Sequence, residues 1–262
     1  MSLPETSELT LPDGRVLRYC LYGPEDGLPA VFHSGSPSSR WKRPSLIDVM
    51  ERSKLRFLVY DRPGYGGSTR QPGRTVADAA ADVRALAEAY RWERFAVFGG
   101  SGGGPHALAT AALLGERVTR CAVLSGIKPR ESSTGEETLR ERQAESAAHI
   151  LAQIEAGGPE VPWEPGGPAL DDPEAMARIR ATFADSMDGW VDDSLAFARP
   201  WGFDAARIAV PVGVWRGTDD QVVPPENAEW MLATIPGAQR HVYSGGHLPG
   251  ADVYGEIYGW LS

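Results

Sequence analysis

Only two cysteines, Cys20 and Cys121, occur in 262 residues. That is too few for a disulfide framework. Both lie in apolar, strand-like stretches, so buried thiols are expected. Neither C-x-x-C nor H-E-x-x-H is present, which removes the two common zinc signatures. No run of about 18 uninterrupted apolar residues exists, so no transmembrane helix is expected. The opening stretch MSLPETSELTLPDG lacks a basic start and an apolar segment; no secretory leader is predicted, and a cytoplasmic location is expected. A basic excess is missing as well. With 35 acidic and 26 basic residues the net charge is −9, a poor match for nucleic acid or an anionic membrane.

An ordinary apolar share of 42% and this length allow one large domain or two small ones. The acidity is uneven: residues 127–206 hold 16 acidic against 7 basic side chains, while the remainder is balanced at 19 of each. Short apolar runs at Val16–Tyr22, Ala30–His33, Phe57–Tyr60, Phe95–Phe98, Cys121–Leu124, Pro211–Trp215 and Arg240–Tyr243 predict strands. Helical spacing predicts helices from Thr75, as a cap, to about Tyr90, and over about 105–114, 226–235 and 251–261. Such alternation predicts an α/β fold with a mostly parallel sheet. The acidic segment has no convincing strand. Its helix-like pieces fall near 136–156, 172–187 and 190–199, around a Pro/Gly-rich break at 157–168. A helical insert between two strands reads as a lid over the carboxyl edge of the sheet, where such folds bind ligands.

The strongest motif is Gly99-Gly100-Ser101-Gly102-Gly103, a G-x-S-x-G between a strand and a helix. A tight turn there exposes the serine oxygen, and the helix start offers amide N–H groups to a developing oxyanion. The same glycines also fit a dinucleotide fingerprint, Gly102-x-Gly104-x-x-Ala107. The following strand, however, ends in Ser125-Gly126 with no acid for a ribose. A serine nucleophile needs a base. His247, in a loop after the strand Arg240–Tyr243, is best placed; His241 reads as structural, His106 as pointing away, and His149 as surface or lid. Asp219 and Asp220, just after the strand ending at Trp215, offer the acid that orients the base. The chain order Ser101, Asp220, His247 is one of the known triad orders.

On these residues the chain resembles α/β-hydrolase fold proteins over nearly its whole length. His33-Ser34-Gly35-Ser36-Pro37 is similar to the family's H-G-x-P signature with one extra residue, and Asp61–Ser68 to its D-x-x-G-x-G-x-S turn. The resemblance implies a mostly parallel eight-stranded sheet flanked by helices. The core would span 1–126 and 207–262, with a helical cap at 127–206. It implies an oxyanion hole from the backbone N–H groups of Ser36 and Gly102, with Ser34 a weaker candidate. The family spacing G-x-x-D-x-x-V-P selects Asp220, with Asp219 as the alternative acid. The 61–68 turn reads as structural support for the oxyanion loop.

The expected activity is a serine hydrolase acting on a small ester or amide through an acyl-enzyme on Ser101. Serine at the turn disfavours dehalogenases and epoxide hydrolases, which use aspartate there. C–C bond hydrolases, lyases and non-catalytic binding proteins on the same fold remain alternatives. A loose likeness to proline iminopeptidase-like enzymes suggests that lid carboxylates bind a substrate amine; solvated helix faces are the plainer reading of those charges. Most aromatics of the insert, Trp163, Trp190 and Trp201 among them, read as lid packing, a few as pocket wall, and Trp41 as packing elsewhere. No metal or organic cofactor is implied. The partner is a small-molecule substrate, and the chain is expected as a monomer or homodimer.

Overall fold

The computed structural model describes residues 5–130, 135–156, 173–183 and 186–262. Eight strands form one sheet: β1 (Ser7–Thr10), β2 (Val16–Tyr22), β3 (Leu28–His33), β4 (Leu55–Tyr60), β5 (Phe95–Gly100), β6 (Val118–Leu124), β7 (Val212–Gly217) and β8 (Gln239–Tyr243). Their spatial order is β1-β2-β4-β3-β5-β6-β7-β8. β2 is antiparallel to both neighbours and every other pairing is parallel. The fold is therefore an α/β-hydrolase fold, as expected. The helices are α1 (Pro44–Glu51), α2 (Ala79–Ala89), α3 (Gly103–Leu113), α4 (Glu136–Glu155), α5 (Pro173–Thr182), α6 (Asp188–Ala198), α7 (Glu226–Thr234) and α8 (Ala251–Leu261).

Strand alternation divides the core into two layers. Leu17, Val31, Leu58 and Val97 face α2, α3 and α7, while Tyr22, Phe32, Phe57 and Phe98 face α1 and α8. Parallel strands covered on both faces read as continuous apolar runs, which is why β4 to β6 were legible as such. Cys20 and Cys121 are both buried, on opposite layers, and burial pushes the Cys121 thiol up to about 12. The helix predicted from Thr75 begins instead with a 3-10 turn, Val76–Asp78. There the Thr75 N–H and hydroxyl both donate to the Asp78 carboxylate, at 2.6 and 2.9 Å.

The segment between β6 and β7 contains α4, α5 and α6 and, among its described residues, no strand. α4 and α6 fall within two residues of the predicted pieces, and α5 starts where predicted but ends at Thr182, short of the expected 187. The break at 157–168, with Trp163, lies outside the described residues. α6 is rooted in the main core through Ala196 and Phe197. The acidic charge of this segment is not uniformly a solvated face, which corrects the plainer reading. Asp192 and Asp193 are buried and meet arginines from the loop after β4: Arg70 reaches Asp192 at 2.7 Å, and Arg62 and Arg74 reach Asp193 at 2.6 and 2.7 Å. Among the described residues no helix is long and apolar enough to cross a membrane.

Candidate active site

Ser101 sits between β5 and α3 with φ +51°, a left-handed conformation that costs a non-glycine residue about 1–3 kcal/mol. Surrounding contacts hold it there. Its N–H donates to the Leu124 carbonyl on β6 at 2.8 Å, and its own carbonyl accepts from the Gly104 N–H at 2.9 Å. The turn is glycine-rich because backbone passes close by. A Cβ on Gly103 would overlap the His33 carbonyl oxygen and lie 2.7 Å from that of Ser34. Overpacking of this kind costs about 1–3 kcal/mol. We therefore expect Gly103→Ala to lower Tm by roughly 2–12 °C, at about 2–4 °C per kcal/mol for a domain of this size. A thermal melt within 1 °C of the parent would show that α3 can retreat from β3 freely.

The loop after β8 carries His247. Its backbone is tied down by the Tyr243 hydroxyl, which donates to the carbonyls of Gly246 and His247 at 2.9 and 3.2 Å, and by Ser125 Oγ at 3.4 Å. His247 Nδ1 lies 2.9 Å from Asp220 Oδ2. A carboxylate only accepts, so Nδ1 carries a proton, and in the neutral ring the lone pair is on Nε2. Asp220 Oδ1 accepts the amides of Val222 and Val223 at 2.8 and 2.9 Å. Burial works to raise the Asp220 carboxyl, but the Val223 amide and the His247 bond outweigh it and the pKa is lowered. Asp219 is turned elsewhere: it is exposed, and its carboxylate accepts from the Thr218 hydroxyl at 3.2 Å.

Ser101 and His247 line one cavity of about 210 Å³. Its wall is largely apolar, with Phe32, Trp41, Leu46, Phe98, Leu124 and Leu248, and α5 adds Arg178, Ile179 and Thr182. Trp41 is thus part of the cavity wall rather than packing elsewhere. The insert's described aromatics pack among themselves or on the core instead. Phe183 meets Trp190 with centroids 6.3 Å apart, and Trp201 meets Trp230 at 5.7 Å. Ser36 and Gly102 approach each other beside the Ser101 turn, the Ser36 nitrogen lying 3.1 Å from where Gly102 would carry a Cβ. The Ser34 side chain is bonded to the loop before α1. Its hydroxyl accepts from Lys42 Nζ at 2.6 Å and donates to the Ser39 carbonyl at 3.3 Å.

The other histidines are set apart. His106 is buried, with Nδ1 2.9 Å from the Gly102 carbonyl, and burial followed by the Arg62 charge lowers it to about 3. His33 is buried with Nε2 3.0 Å from Thr110 Oγ1, and burial drives its pKa well down. His241 stacks on Trp215 with centroids 4.0 Å apart, and His149 is exposed on α4. Among the described residues no group of three or more His, Cys, Asp or Glu is placed to hold a metal ion. Sequence reasoning missed the buried polar group beside the site, Arg62, Tyr65, Arg74 and Asp193, in which the Tyr65 hydroxyl donates to Asp193 Oδ2 at 2.9 Å. Three of these lie in or just beyond the 61–68 turn, the one signal that pointed there.

A family profile described as alpha/beta hydrolase fold matches residues 29–175. A non-heme chloroperoxidase of Streptomyces lividans is 31% identical over 254 residues, covering 85% of this chain and 87% of that one. A bifunctional esterase/perhydrolase of Acinetobacter calcoaceticus is 27% identical over 234 residues and covers 83% of each. Among solved structures, an enol-lactonase from Burkholderia xenovorans superposes with a TM-score of 0.73 at 21% identity, covering 97% of this chain and 99% of that one. An esterase from a Rhodococcus species gives 0.70 at 23% identity and covers all of both chains.

Proposed function

The chain belongs to the α/β-hydrolase fold family, and on that premise we propose that it is a serine hydrolase that cleaves a small ester through an acyl-enzyme on Ser101. The observation that carries this reading is the 2.9 Å bond between His247 Nδ1 and Asp220, on a loop that sets His247 in the same cavity wall as a strained, half-buried serine. In this reading His247 Nε2 takes the Ser101 proton as Oγ attacks the carbonyl, then returns it to the leaving alcohol. Asp220 holds the tautomer and stabilises the imidazolium. The Ser36 and Gly102 amides take the oxyanion. Water then repeats the sequence and frees the acid.

The apolar wall suits a short or medium acyl chain. α5 closes one side of the cavity through Arg178, Ile179 and Thr182, which supports a lid role for the helices of 127–206 over a core of 1–126 and 207–262. The peptidase alternative gains less support. The described residues lining the cavity include no Asp or Glu to meet a substrate amine, whereas Lys42, Arg43 and Arg178 are among them. A relative named esterase/perhydrolase motivates hydrogen peroxide as a second acyl acceptor to try.

The test is a panel of p-nitrophenyl esters and amino-acid β-naphthylamides, with fluorophosphonate labelling and peptide mapping alongside. We expect turnover of esters, none of the naphthylamides, and the label on Ser101. A folded protein that neither turns over an ester nor takes the label would favour the non-catalytic binding alternative.

A further inference from the structure

We propose that Arg62 and Asp193 are a positioning pair that aims the Ser36 amide into the oxyanion hole; this rests on the serine-hydrolase reading above. Asp193, on α6, is fully buried at 0% exposure and Arg62 nearly so at 3%. Asp193 Oδ2 accepts from Arg62 Nη2 at 2.6 Å and from the Ser36 hydroxyl, while Oδ1 accepts from Arg62 Nε at 3.3 Å and pairs with Arg74 at 2.7 Å. Arg62 does not spend its donors on the carboxylate alone. Nη1 donates to the Ser34 carbonyl, and Nη2 reaches the Gly35 carbonyl at 3.0 Å and Ser36 Oγ at 2.7 Å. One guanidinium therefore grips two successive peptide carbonyls of the oxyanion loop.

Peptide planarity gives that grip its consequence. In a trans peptide the carbonyl and the following N–H point in opposite directions. Holding the Gly35 carbonyl on Arg62 turns the Ser36 N–H away from Arg62. Holding the Ser34 carbonyl does the same for Gly35. The Ser36 nitrogen lies beside Gly102, and Gly35 packs 3.6 Å from the Ser101 Cβ by its own missing Cβ, so the loop is pressed against the nucleophile turn. The Ser36 side chain adds a second fix. Its hydroxyl donates to Asp193 and accepts from Arg62, so Ser36 is clamped at both its preceding carbonyl and its Oγ.

Stability alone is a poor reason for such a group, because buried ion pairs add little over well-packed apolar residues. What the arrangement supplies is direction. Burial would raise the Asp193 carboxyl, yet the Arg62 and Arg74 charges overcome it and hold it well below the usual carboxylate range, so the anchor stays ionised. Since Asp193 belongs to the 127–206 segment and Arg62 to the loop after β4, the pair also makes the oxyanion loop sensitive to the seating of α6.

Arg62→Lys is the discriminating variant. A lysine keeps the charge opposite Asp193 but cannot fork across two carbonyls. Ser36→Ala is the second variant: it retains the backbone N–H and removes the hydroxyl clamp without leaving a buried charge. Both are assayed on the best ester of the panel, with affinity for a boronic-acid transition-state analogue and for a non-hydrolysable ester isostere. Misdirection of one oxyanion donor should lower kcat about 10–100-fold for Arg62→Lys, short of the 10²–10³-fold for outright loss of a donor. The loss should be about 3–10-fold for Ser36→Ala, because Arg62 still holds the carbonyls. KM and isostere affinity should hardly move, and boronate affinity should weaken in step with kcat/KM.

A purely structural role would lower Tm and leave boronate affinity where it was. Folded Arg62→Lys and Ser36→Ala proteins with kcat and boronate affinity within threefold of the parent would overturn the proposal. Failure of the parent itself to turn over esters or take a fluorophosphonate would overturn the underlying reading instead, so the two failures are distinct. Should Arg62→Lys not fold, Ser36→Ala decides alone.

Discussion

Ser101→Ala is expected to abolish measurable turnover, with a fall in kcat of about 10⁴–10⁶-fold and little change in KM. The size follows from the role. In the proposed mechanism the serine oxygen is the atom that bonds to the acyl carbon, and its removal would leave only the oxyanion amides and binding to act on water. Those residual parts are typically worth about 10³–10⁴ over the uncatalysed reaction. The fold should tolerate the change well, because an alanine at φ +51° replaces a residue already strained there. Tm should therefore fall by no more than a few degrees, and binding of a product acid in the 210 Å³ cavity should persist. Kinetics on the best ester, a melt and equilibrium binding of that acid check all three. Retention of more than about one part in a hundred of kcat would remove Ser101 from the mechanism and shift attention to direct water attack.

Much of the fold was legible because it rests on local periodicity. Val16–Tyr22 and Ala251–Leu261 are found with the bounds that apolar spacing predicts. The elements that escaped are those with a weak local signal. β1 is four residues long, half exposed, and held only by pairing with β2. α1 is eight residues long and follows a serine-rich loop. Within the candidate site, the placement of residues set by a turn or by chain order was legible: Ser101 in its glycine frame, His247 and Asp220 by their loops after β8 and β7. The Arg62–Asp193 pair was not. Its partners are 131 positions apart, and Asp193 is one of 16 acidic residues in its segment, none marked by spacing as buried. Burial of a charge depends on what tertiary packing brings opposite it. No sequence period encodes that. Trp41 escaped for the same reason: a tryptophan in a loop is equally consistent with core packing and with a cavity wall.

The second large effect is expected for Asp220→Asn, with kcat lowered about 10³–10⁴-fold and the fold intact. The asparagine Oδ1 can still accept the Val222 and Val223 amides, at the positions where Asp220 Oδ1 now takes them at 2.8 and 2.9 Å, so the loop after β7 keeps its shape. The change falls on the other oxygen. Where Oδ2 now accepts from His247 Nδ1 at 2.9 Å, an amide NH₂ would sit donor against donor. The imidazole would escape that clash by moving its proton to Nε2, which then has no lone pair for the Ser101 proton. In the proposed mechanism, loss of the negative charge would also remove stabilisation of the imidazolium formed during attack. Asp219→Asn is the matched control. Asp219 is exposed and faces Thr218, so the same change of charge one residue away should leave kcat close to that of the parent. Equal losses in the two variants would point to a general effect of charge near the cavity. A loss confined to Asp219→Asn would transfer the role of acid to the neighbour. Because the Asp220 pKa is lowered, its carboxylate stays ionised into mildly acid solution, and the contrast between the two variants should therefore hold across that range.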